Sequence, residues 1–199
     1  MQTNLSDVQI IDDLLPESYS KEILDLFTDS KFPWFYNSNI SYLDDKFNNR
    51  FAENDNRLKD TDAFAHGFMV QSQKNSPYFD IIRPVLYFLE QRTSVNITNL
   101  LRIRGIMVPK NPAFGDYMNI PHVDMSFPHN TLIYYVNDTD GDTIIFEEKY
   151  NGDMDYSKKT IKQTITPKKN RAVLFNGMHY HTGSVPKDNH RLVINFNFS

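Results

Sequence analysis

The 199-residue chain contains no cysteine, which excludes disulfides, cysteine-based zinc sites and thiol nucleophiles together. Any bound metal must therefore be held by histidine, aspartate, glutamate or backbone oxygen. No apolar run approaches the roughly 20 residues that a membrane-spanning helix needs. Residues 1–10 have neither the basic start nor the apolar core of a signal peptide. We therefore expect a cytoplasmic protein without a membrane partner.

Neither sign of charge dominates the sequence. There are 25 acidic and 21 basic residues, the net charge is −4, and no block of basic residues stands out, so nucleic acid is not an expected partner. Glycine is scarce with 7 residues, whereas phenylalanine (15) and tyrosine (11) are frequent, which favours strands. A chain of this length is the size of one domain and can bury a core without cross-links.

The first half of the chain, residues 1–95, is predicted to consist of helices and loops. One helix is expected to begin at Pro16, because proline suits the first turn. A second helix is predicted over residues 76–92 from its apolar period, with a kink or a late start at Pro84. One short strand is expected near residues 40–43.

After residue 96 the chain changes to short runs rich in β-branched and aromatic residues, separated by turn signals. The predicted strands are residues 99–108, 131–136, 143–147, 160–166, 171–175 and 191–198. Short strands without intervening helices indicate an antiparallel sandwich or barrel. We therefore predict a single α+β domain over residues 1–199. Its helical and loop preface, residues 1–95, would pack on one sheet of a jelly-roll (double-stranded β-helix) sandwich formed by residues 96–199.

Histidine and aspartate occur in a spacing that suits a metal site. His122 and Asp124 are two residues apart, so in a strand they point to the same face. They would supply two ligands of a 2-His-1-carboxylate site, which leaves one face of an iron ion open. The alternative is a hydrogen-bonded pair at a strand end. A third ligand should come from a later strand, where His179 and His181, again two apart, are both candidates.

The last predicted strand, residues 191–198, alternates strictly. One face carries Leu192, Ile194, Phe196 and Phe198, and the other carries Arg191, Val193, Asn195 and Asn197. The first face would be core and the second would line a polar cavity. An arginine in such a cavity is costly unless it meets an anion, and its planar fork suits a carboxylate. The alternative is a surface arginine at a strand edge.

These residues resemble the iron and co-substrate motif of the Fe(II)/2-oxoglutarate-dependent dioxygenases, most closely their prolyl 4-hydroxylase-like branch. The matching residues are His122, Asp124, His181 and Arg191, the last ten positions after His181. The segment between them is similar too, since Asp140-Gly141-Asp142-Thr143 resembles the branch's Gly-Gly-x-Thr turn with an aspartate in place of a glycine. The resemblance covers residues 100–198.

The resemblance implies that His122, Asp124 and His181 bind Fe(II). The spacing to Arg191 and the Thr-Gly that follows His181 favour it over His179, as in relatives with a short His-x-Gly turn. Arg191 would pair with the distal carboxylate of 2-oxoglutarate.

Three further residues are expected at the 2-oxoglutarate pocket. By resemblance, Tyr135 would hydrogen-bond the same carboxylate while Tyr134 faces the other way into packing, and Tyr117 would lie near the co-substrate. Asn195 is a candidate because it lies on the same strand face as Arg191.

The resemblance implies an oxygenase with O2 and 2-oxoglutarate as co-substrates, in which the carboxylate of Asp124 points to hydroxylation, because halogenating relatives lack it. A peptide, protein or amino acid is the expected primary substrate. Two other functions would fit parts of the pattern. One is a cupin-like metal-dependent isomerase or dioxygenase without 2-oxoglutarate, which has no reason to keep Arg191 in the cavity. The other is a non-catalytic β-sandwich binding module in which His122 and Asp124 are incidental.

Overall fold

The computed structural model describes residues 8–41, 60–115, 117–152 and 159–199. The first part of the chain forms β1 (Gln9–Ile11), α1 (Glu17–Thr28), β2 (Phe35–Asn37), β3 (Ala63–Val70), β4 (Gln73–Lys74), α2 (Phe79–Ile82) and α3 (Val85–Arg92). The second part forms β5 (Leu100–Val108), a 3₁₀ turn (Pro112–Phe114), β6 (Asn130–Tyr135), β7 (Thr143–Lys149), β8 (Ile161–Ile165), β9 (Ala172–Asn176), β10 (His179–Gly183) and β11 (Arg191–Phe198). No helix in these ranges is both long and apolar enough to cross a bilayer.

The described strands form two antiparallel sheets. The large sheet has the order β1-β9-β6-β11-β5-β3-β2, with β4 paired to β3, and the small sheet has the order β10-β7-β8. Strand β11 lies between β6 and β5 and pairs with both along most of its length. The order departs widely from the order along the chain, as expected of a jelly roll. The predicted α+β jelly-roll sandwich is confirmed.

The helices pack on one face of the large sheet, as predicted. Ile23 and Phe27 of α1 and Leu89 of α3 join the same buried cluster as Phe196 and Phe198 of β11. Helix α3 begins after Pro84, and the short helix α2 ends before it, because proline interrupts the hydrogen bonding of a continuous helix. The apolar face of β11 therefore carries the core between sheet and helices.

The other face of the large sheet meets the small sheet. Ile133, Val173 and Val193 of the large sheet pack with Ile145 and Ile165 of the small one in a second buried cluster. The polar side chains of β11 lie on this inner face, so the predicted alternation of that strand places them inside the sandwich.

The preface contains strands as well as helices. Strand β3 pairs with β5 over most of its length and belongs to the large sheet, although residues 1–95 were expected to be helix and loop. Its sequence, AFAHGFMV, lacks a regular polar alternation, because both of its faces are covered. The strand expected near residues 40–43 lies partly outside the described residues, and the strand found in this region is Phe35–Asn37.

Candidate metal centre

The two histidines of the site are joined through their backbones. His122 and His181 exchange two N–H···O=C hydrogen bonds of 3.0 Å each, which form an isolated antiparallel bridge. This pairing places the two imidazole rings on the same side, with their centroids 4.8 Å apart. The histidines are 59 positions apart in sequence and become neighbours because the loop after β5 runs beside β10.

Asp124 completes a cluster of three possible metal ligands. One ligand atom from each of His122, Asp124 and His181 lies within 4.8 Å of the other two. The Oδ2 atom of Asp124 is 3.7 Å from Nε2 of His181. Asp124 and His181 expose only 6% and 4% of their side chains, so the cluster faces a shielded space rather than open solvent. A 2-His-1-carboxylate set of this kind suits an octahedral metal with open positions.

The carboxylate of Asp124 is held in place by four side chains. Its Oδ2 accepts hydrogen bonds from Asn197 at 2.9 Å and Asn195 at 3.0 Å, and a longer one of 3.5 Å from Thr131. Arg102 forms an ion pair with Oδ1. Burial by itself would raise the pKa of Asp124, but the charge of Arg102 and the other polar neighbours hold the pKa well below its usual value. Asp124 is therefore a carboxylate at neutral pH.

Both histidines are neutral and present a nitrogen lone pair to the cluster. Burial lowers the pKa of His181 to about 4 and also lowers the pKa of His122. The Nδ1 atoms lie 3.1 Å from the carbonyl oxygens of His179 and Ile120, so each Nδ1 carries the proton and each Nε2 is the acceptor.

The donor set fits a divalent metal. Nε2 of His181 is buried and has no hydrogen-bond partner among the described residues. A buried acceptor without a donor is unusual in a folded protein, and a metal ion would satisfy it. A neutral imidazole pair and an anchored carboxylate are the ligands that non-haem Fe(II) takes.

His179 lies outside the cluster, although a regular strand would point it the same way as His181. The pairing of β10 with β7 shifts between these two residues, since His179 is opposite Lys149 and His181 is opposite Ile145. Such a bulge redirects the side chains on either side of it. The Nδ1 atom of His179 instead lies 2.8 Å from the carbonyl oxygen of Phe146.

Arg191 extends into the same cavity from the start of β11. Its Nε donates to the carbonyl oxygen of Gly141 at 2.9 Å, and its Nη2 donates to Oγ1 of Thr143 at 2.8 Å. Gly141 leaves just enough room, because a Cβ atom there would stand 3.0 Å from Cδ of Arg191. The guanidinium is thus buried and oriented by two neutral acceptors, neither of which cancels its charge.

A single cavity connects this arginine to the metal cluster. Its walls include His122, Asp124, His181, Arg191 and Asn195. One space is therefore lined by the four residues that the sequence predicts as metal or 2-oxoglutarate ligands, and by Asn195. The amide nitrogen of Asn195 donates to Asp124, so this residue supports the proposed metal ligand as well as lining the pocket.

The two tyrosines expected at the pocket are placed differently. Tyr135 lies on the inner face beside Arg191, whose guanidinium carbon is 5.9 Å from the ring centre, and its hydroxyl donates to Thr143 at 2.7 Å. Tyr134 faces the helices, as expected, and hydrogen-bonds Ser20. Tyr135 is not among the residues that line the cavity, and neither is Tyr117. The ring of Tyr117 packs edge-on against Phe114, 5.4 Å away, because it lies in the loop after the 3₁₀ turn, where strand alternation does not set its direction.

Two supporting residues were not recognised from the sequence. Arg102 pairs with Asp124 and donates to Oδ1 of Asn197 at 2.9 Å, and Thr143 accepts hydrogen bonds from both Arg191 and Tyr135. The sequence contains one signal for Arg102. Arg102 and Arg104 are two apart in a predicted strand, so they place two cations on one face.

Neither a family model nor a curated protein matches the chain. Several solved structures do match the chain. An oxidoreductase of the 2OG-Fe(II) oxygenase family from Burkholderia pseudomallei superposes with a TM-score of 0.65 at 12% identity, covering 96% of this chain and 84% of that one. A Trichoplax adhaerens prolyl hydroxylase, in complex with a hypoxia-inducible-factor peptide, gives 0.57 at 16% identity over 98% and 84% of the two chains.

The non-haem α-ketoglutarate-dependent epimerase SnoN of nogalamycin biosynthesis gives a TM-score of 0.62 at 12% identity, covering 96% of this chain and 77% of that one. At such low identities these likenesses show the fold. The chain has the jelly-roll fold of the 2-oxoglutarate and Fe(II) oxygenases, prolyl hydroxylases among them, which confirms the fold implied by the sequence resemblance.

Proposed function

We propose that this protein is a non-haem Fe(II)- and 2-oxoglutarate-dependent oxygenase. One cavity joins a 2-His-1-carboxylate cluster to a buried arginine, and this arrangement is the main support for the proposal. A metal site alone would also suit a cupin-like isomerase or dioxygenase. A binding module would need neither the cluster nor the arginine. Burial of the arginine is costly unless an anion pairs with it, and a dianionic co-substrate bound beside the metal would supply that anion.

In this proposal His122, Asp124 and His181 hold Fe(II), and the bound metal with 2-oxoglutarate supplies the oxidative decarboxylation chemistry that activates O2. Arg191 binds the distal carboxylate of 2-oxoglutarate, and Thr143 fixes the direction of its guanidinium. Tyr135 supports Arg191 through Thr143. The shielded walls of the cavity keep bulk water from the reacting groups.

The reaction we propose is hydroxylation of a peptide, protein or amino acid. Asp124 leaves no open ligand position of the kind that halogenating relatives use, and prolyl hydroxylases are among the proteins that share the fold. An epimerase has the same fold. The Asp124 carboxylate and the fold therefore support oxygenase chemistry as a class, and the peptide, protein or amino-acid substrate is the narrower part of the proposal.

Separate measurements of metal and 2-oxoglutarate binding test the proposal. Wild-type protein should bind one equivalent of Fe(II) or Mn(II) and then 2-oxoglutarate. Asp124→Ala should lose the metal. Arg191→Ala should keep the metal but bind 2-oxoglutarate about 30-fold more weakly or worse, since truncating one partner of a buried charge pair costs about 2 kcal/mol or more.

Arg83→Ala is the matched control, because Arg83 is exposed and stacks on Tyr87 outside the cavity. It should bind metal and 2-oxoglutarate as the wild type does. Metal binding without any 2-oxoglutarate binding would favour the cupin-like alternative. If Asp124→Ala contains as much metal as the wild type, the proposed metal site is refuted and the binding-module alternative is favoured.

A further inference from the structure

The direction of the His122 ring depends on the backbone of Ile120. The Nδ1 atom of His122 donates to the carbonyl oxygen of Ile120 at 3.1 Å. A ligating histidine whose second ring nitrogen donates to a fixed acceptor has both its tautomer and its ring orientation set by that acceptor. The position of the Ile120 carbonyl therefore decides where His122 points its Nε2 atom.

The Ile120 carbonyl has little support from its own stretch of chain. The next residue is Pro121, which has no N–H, so the peptide group that contains this carbonyl offers no donor. Ile120 is 1% exposed and lies between β5 and β6, outside the named strands. Its orientation must therefore come from groups that pack against it.

The carboxylate of Asp60 holds the other polar group of Ile120. Its Oδ1 accepts the backbone N–H of Ile120 at 3.1 Å and the hydroxyl of Ser41 at 2.6 Å, and its Oδ2 accepts the backbone N–H of Ser41 at 3.2 Å. The hydroxyl of Ser41 also lies 3.1 Å from the carbonyl oxygen of Ile120. Asp60 and Ser41 together thus contact both the N–H and the carbonyl of Ile120.

The residue after Asp60 adds a second link to the same segment. The backbone N–H and the hydroxyl of Thr61 both donate to Oδ1 of Asn119 at 2.8 Å. The Nδ2 atom of Asn119 donates in turn to the carbonyl oxygen of Gly183 at 3.0 Å, in the strand that carries His181. Residues 60 and 61 are therefore hydrogen-bonded to the segment of one histidine and, through Asn119, to the strand of the other.

The three donors around Asp60 require a carboxylate. Both of its oxygens accept, whereas an amide in the same place would have one acceptor and one donor. Burial raises the pKa of Asp60, and the hydrogen bonds from Ser41 and Ile120 act in the opposite direction. A buried carboxylate is costly unless its oxygens are hydrogen-bonded, and this one is bonded at both oxygens to two separate segments, which fixes its position.

We propose that Asp60 is a positioning residue for the metal ligand His122. Asp60 fixes the N–H of Ile120, the Ile120 carbonyl fixes the Nδ1 proton of His122, and the Nε2 atom then faces the cluster. The inference rests on the proposed metal role of His122. Asp60 does not line the metal cavity, so it acts through Ile120 and not by contact with metal or co-substrate.

The first test measures the His122 ring without any metal. Nitrogen NMR of the imidazoles in metal-free protein should show His122 with a protonated Nδ1 and a bare Nε2, and His122→Gln identifies its signals. Asp60→Ala should give a mixture of the two tautomers, because the Ile120 carbonyl is no longer held. Asp60→Asn should recover most of the wild-type tautomer, since its amide oxygen can take the place of Oδ1, which accepts two of the three donors.

The second test measures the affinity for Mn(II) by calorimetry. Asp60→Ala should bind Mn(II) about tenfold more weakly or worse, as expected when the support of a ligating histidine is lost, and Asp60→Asn should again lie close to the wild type. Asp138→Ala is the matched control, because the exposed carboxylate of Asp138 also accepts a backbone N–H, that of Lys169 at 2.8 Å. This control should change neither the tautomer nor the affinity.

Circular dichroism shows whether each variant is folded. If Asp60→Ala does not fold, Asp60→Ser takes its place, since serine keeps a polar group but is too short to reach the N–H of Ile120. An unchanged tautomer or an unchanged Mn(II) affinity in the folded variant would overturn the inference, and so would equal losses in Asp138→Ala. Wild-type protein that binds no Mn(II) would refute the proposed metal site instead, whereas the tautomer comparison needs no metal and would still test whether Asp60 orients His122.

Discussion

Replacement of Thr143 by valine should damage both the stability of the protein and the proposed 2-oxoglutarate anchor. Thr143 is 1% exposed, and its Oγ1 accepts one hydrogen bond from the hydroxyl of Tyr135 at 2.7 Å and one from Nη2 of Arg191 at 2.8 Å. Valine has almost the same shape, so packing is preserved. The change removes a single acceptor and leaves two buried donors, one of them charged.

The loss of the Thr143 acceptor sets the expected size of the destabilisation. A buried donor that loses its partner costs about 1–3 kcal/mol, and a charged one costs more. The two donors together should lower the free energy of unfolding by about 3 kcal/mol. With a urea dependence of about 2 kcal/mol per molar, the unfolding midpoint should fall by about 1–2 M.

Urea unfolding of the metal-free protein measures this effect, and Thr143→Ser is the control. Serine retains the acceptor and loses one methyl group, so its loss should be about 1 kcal/mol. Valine should therefore be clearly more destabilising than serine and should also weaken 2-oxoglutarate binding. Equal stability of the two variants would show that the Thr143 hydroxyl does not hold Arg191 and Tyr135 as described.

Three other predictions concern pH, the turn before β7 and the core. Metal-free protein should lose stability as the pH falls from 6.5 toward 4, because burial lowers the pKa of His181 to about 4 and the unfolded chain takes up the proton first. The loss should approach about 3 kcal/mol, and His181→Gln should flatten the pH profile of urea unfolding; a profile as steep as the wild type's would contradict the assignment. Gly141→Ala would place a Cβ 3.0 Å from Cδ of Arg191, so calorimetry should show weaker 2-oxoglutarate binding with unchanged metal affinity. Phe196→Ala, fully buried under the helices, should cost about 3–5 kcal/mol in thermal or urea unfolding, whereas exposed Phe35→Ala should stay within about 0.5 kcal/mol.

Strand β11 shows what a sequence can determine about this fold. Its alternation is local, has a period of two and involves strongly contrasting residues, so the two faces were predictable without knowledge of its neighbours. The structure buries all eight residues and divides them as expected between the helix side and the cavity side. Strand β3 was missed because both of its faces are covered and the contrast that marks a half-buried strand is lacking.

The metal centre was predictable in part. The pair His122 and Asp124 follows from spacing along a single segment. The distal ligand does not, because a regular strand would turn His179 and His181 the same way, and the register shift between them depends on how β10 pairs with β7. The support from Arg102 depends on pairing as well, since β5 lies opposite β11 and brings this arginine directly against Asn197. Such contacts join residues about 95 positions apart and have no local signature.

The most direct test of the central claim is the conversion of 2-oxoglutarate by the purified protein. Anaerobic addition of Fe(II) and then 2-oxoglutarate should give a weak visible charge-transfer band, and admission of O2 should give slow formation of succinate even without a primary substrate. Both signals should be absent from Asp124→Ala and present in Arg83→Ala. Iron-loaded wild-type protein that shows neither the band nor succinate would contradict the proposed function.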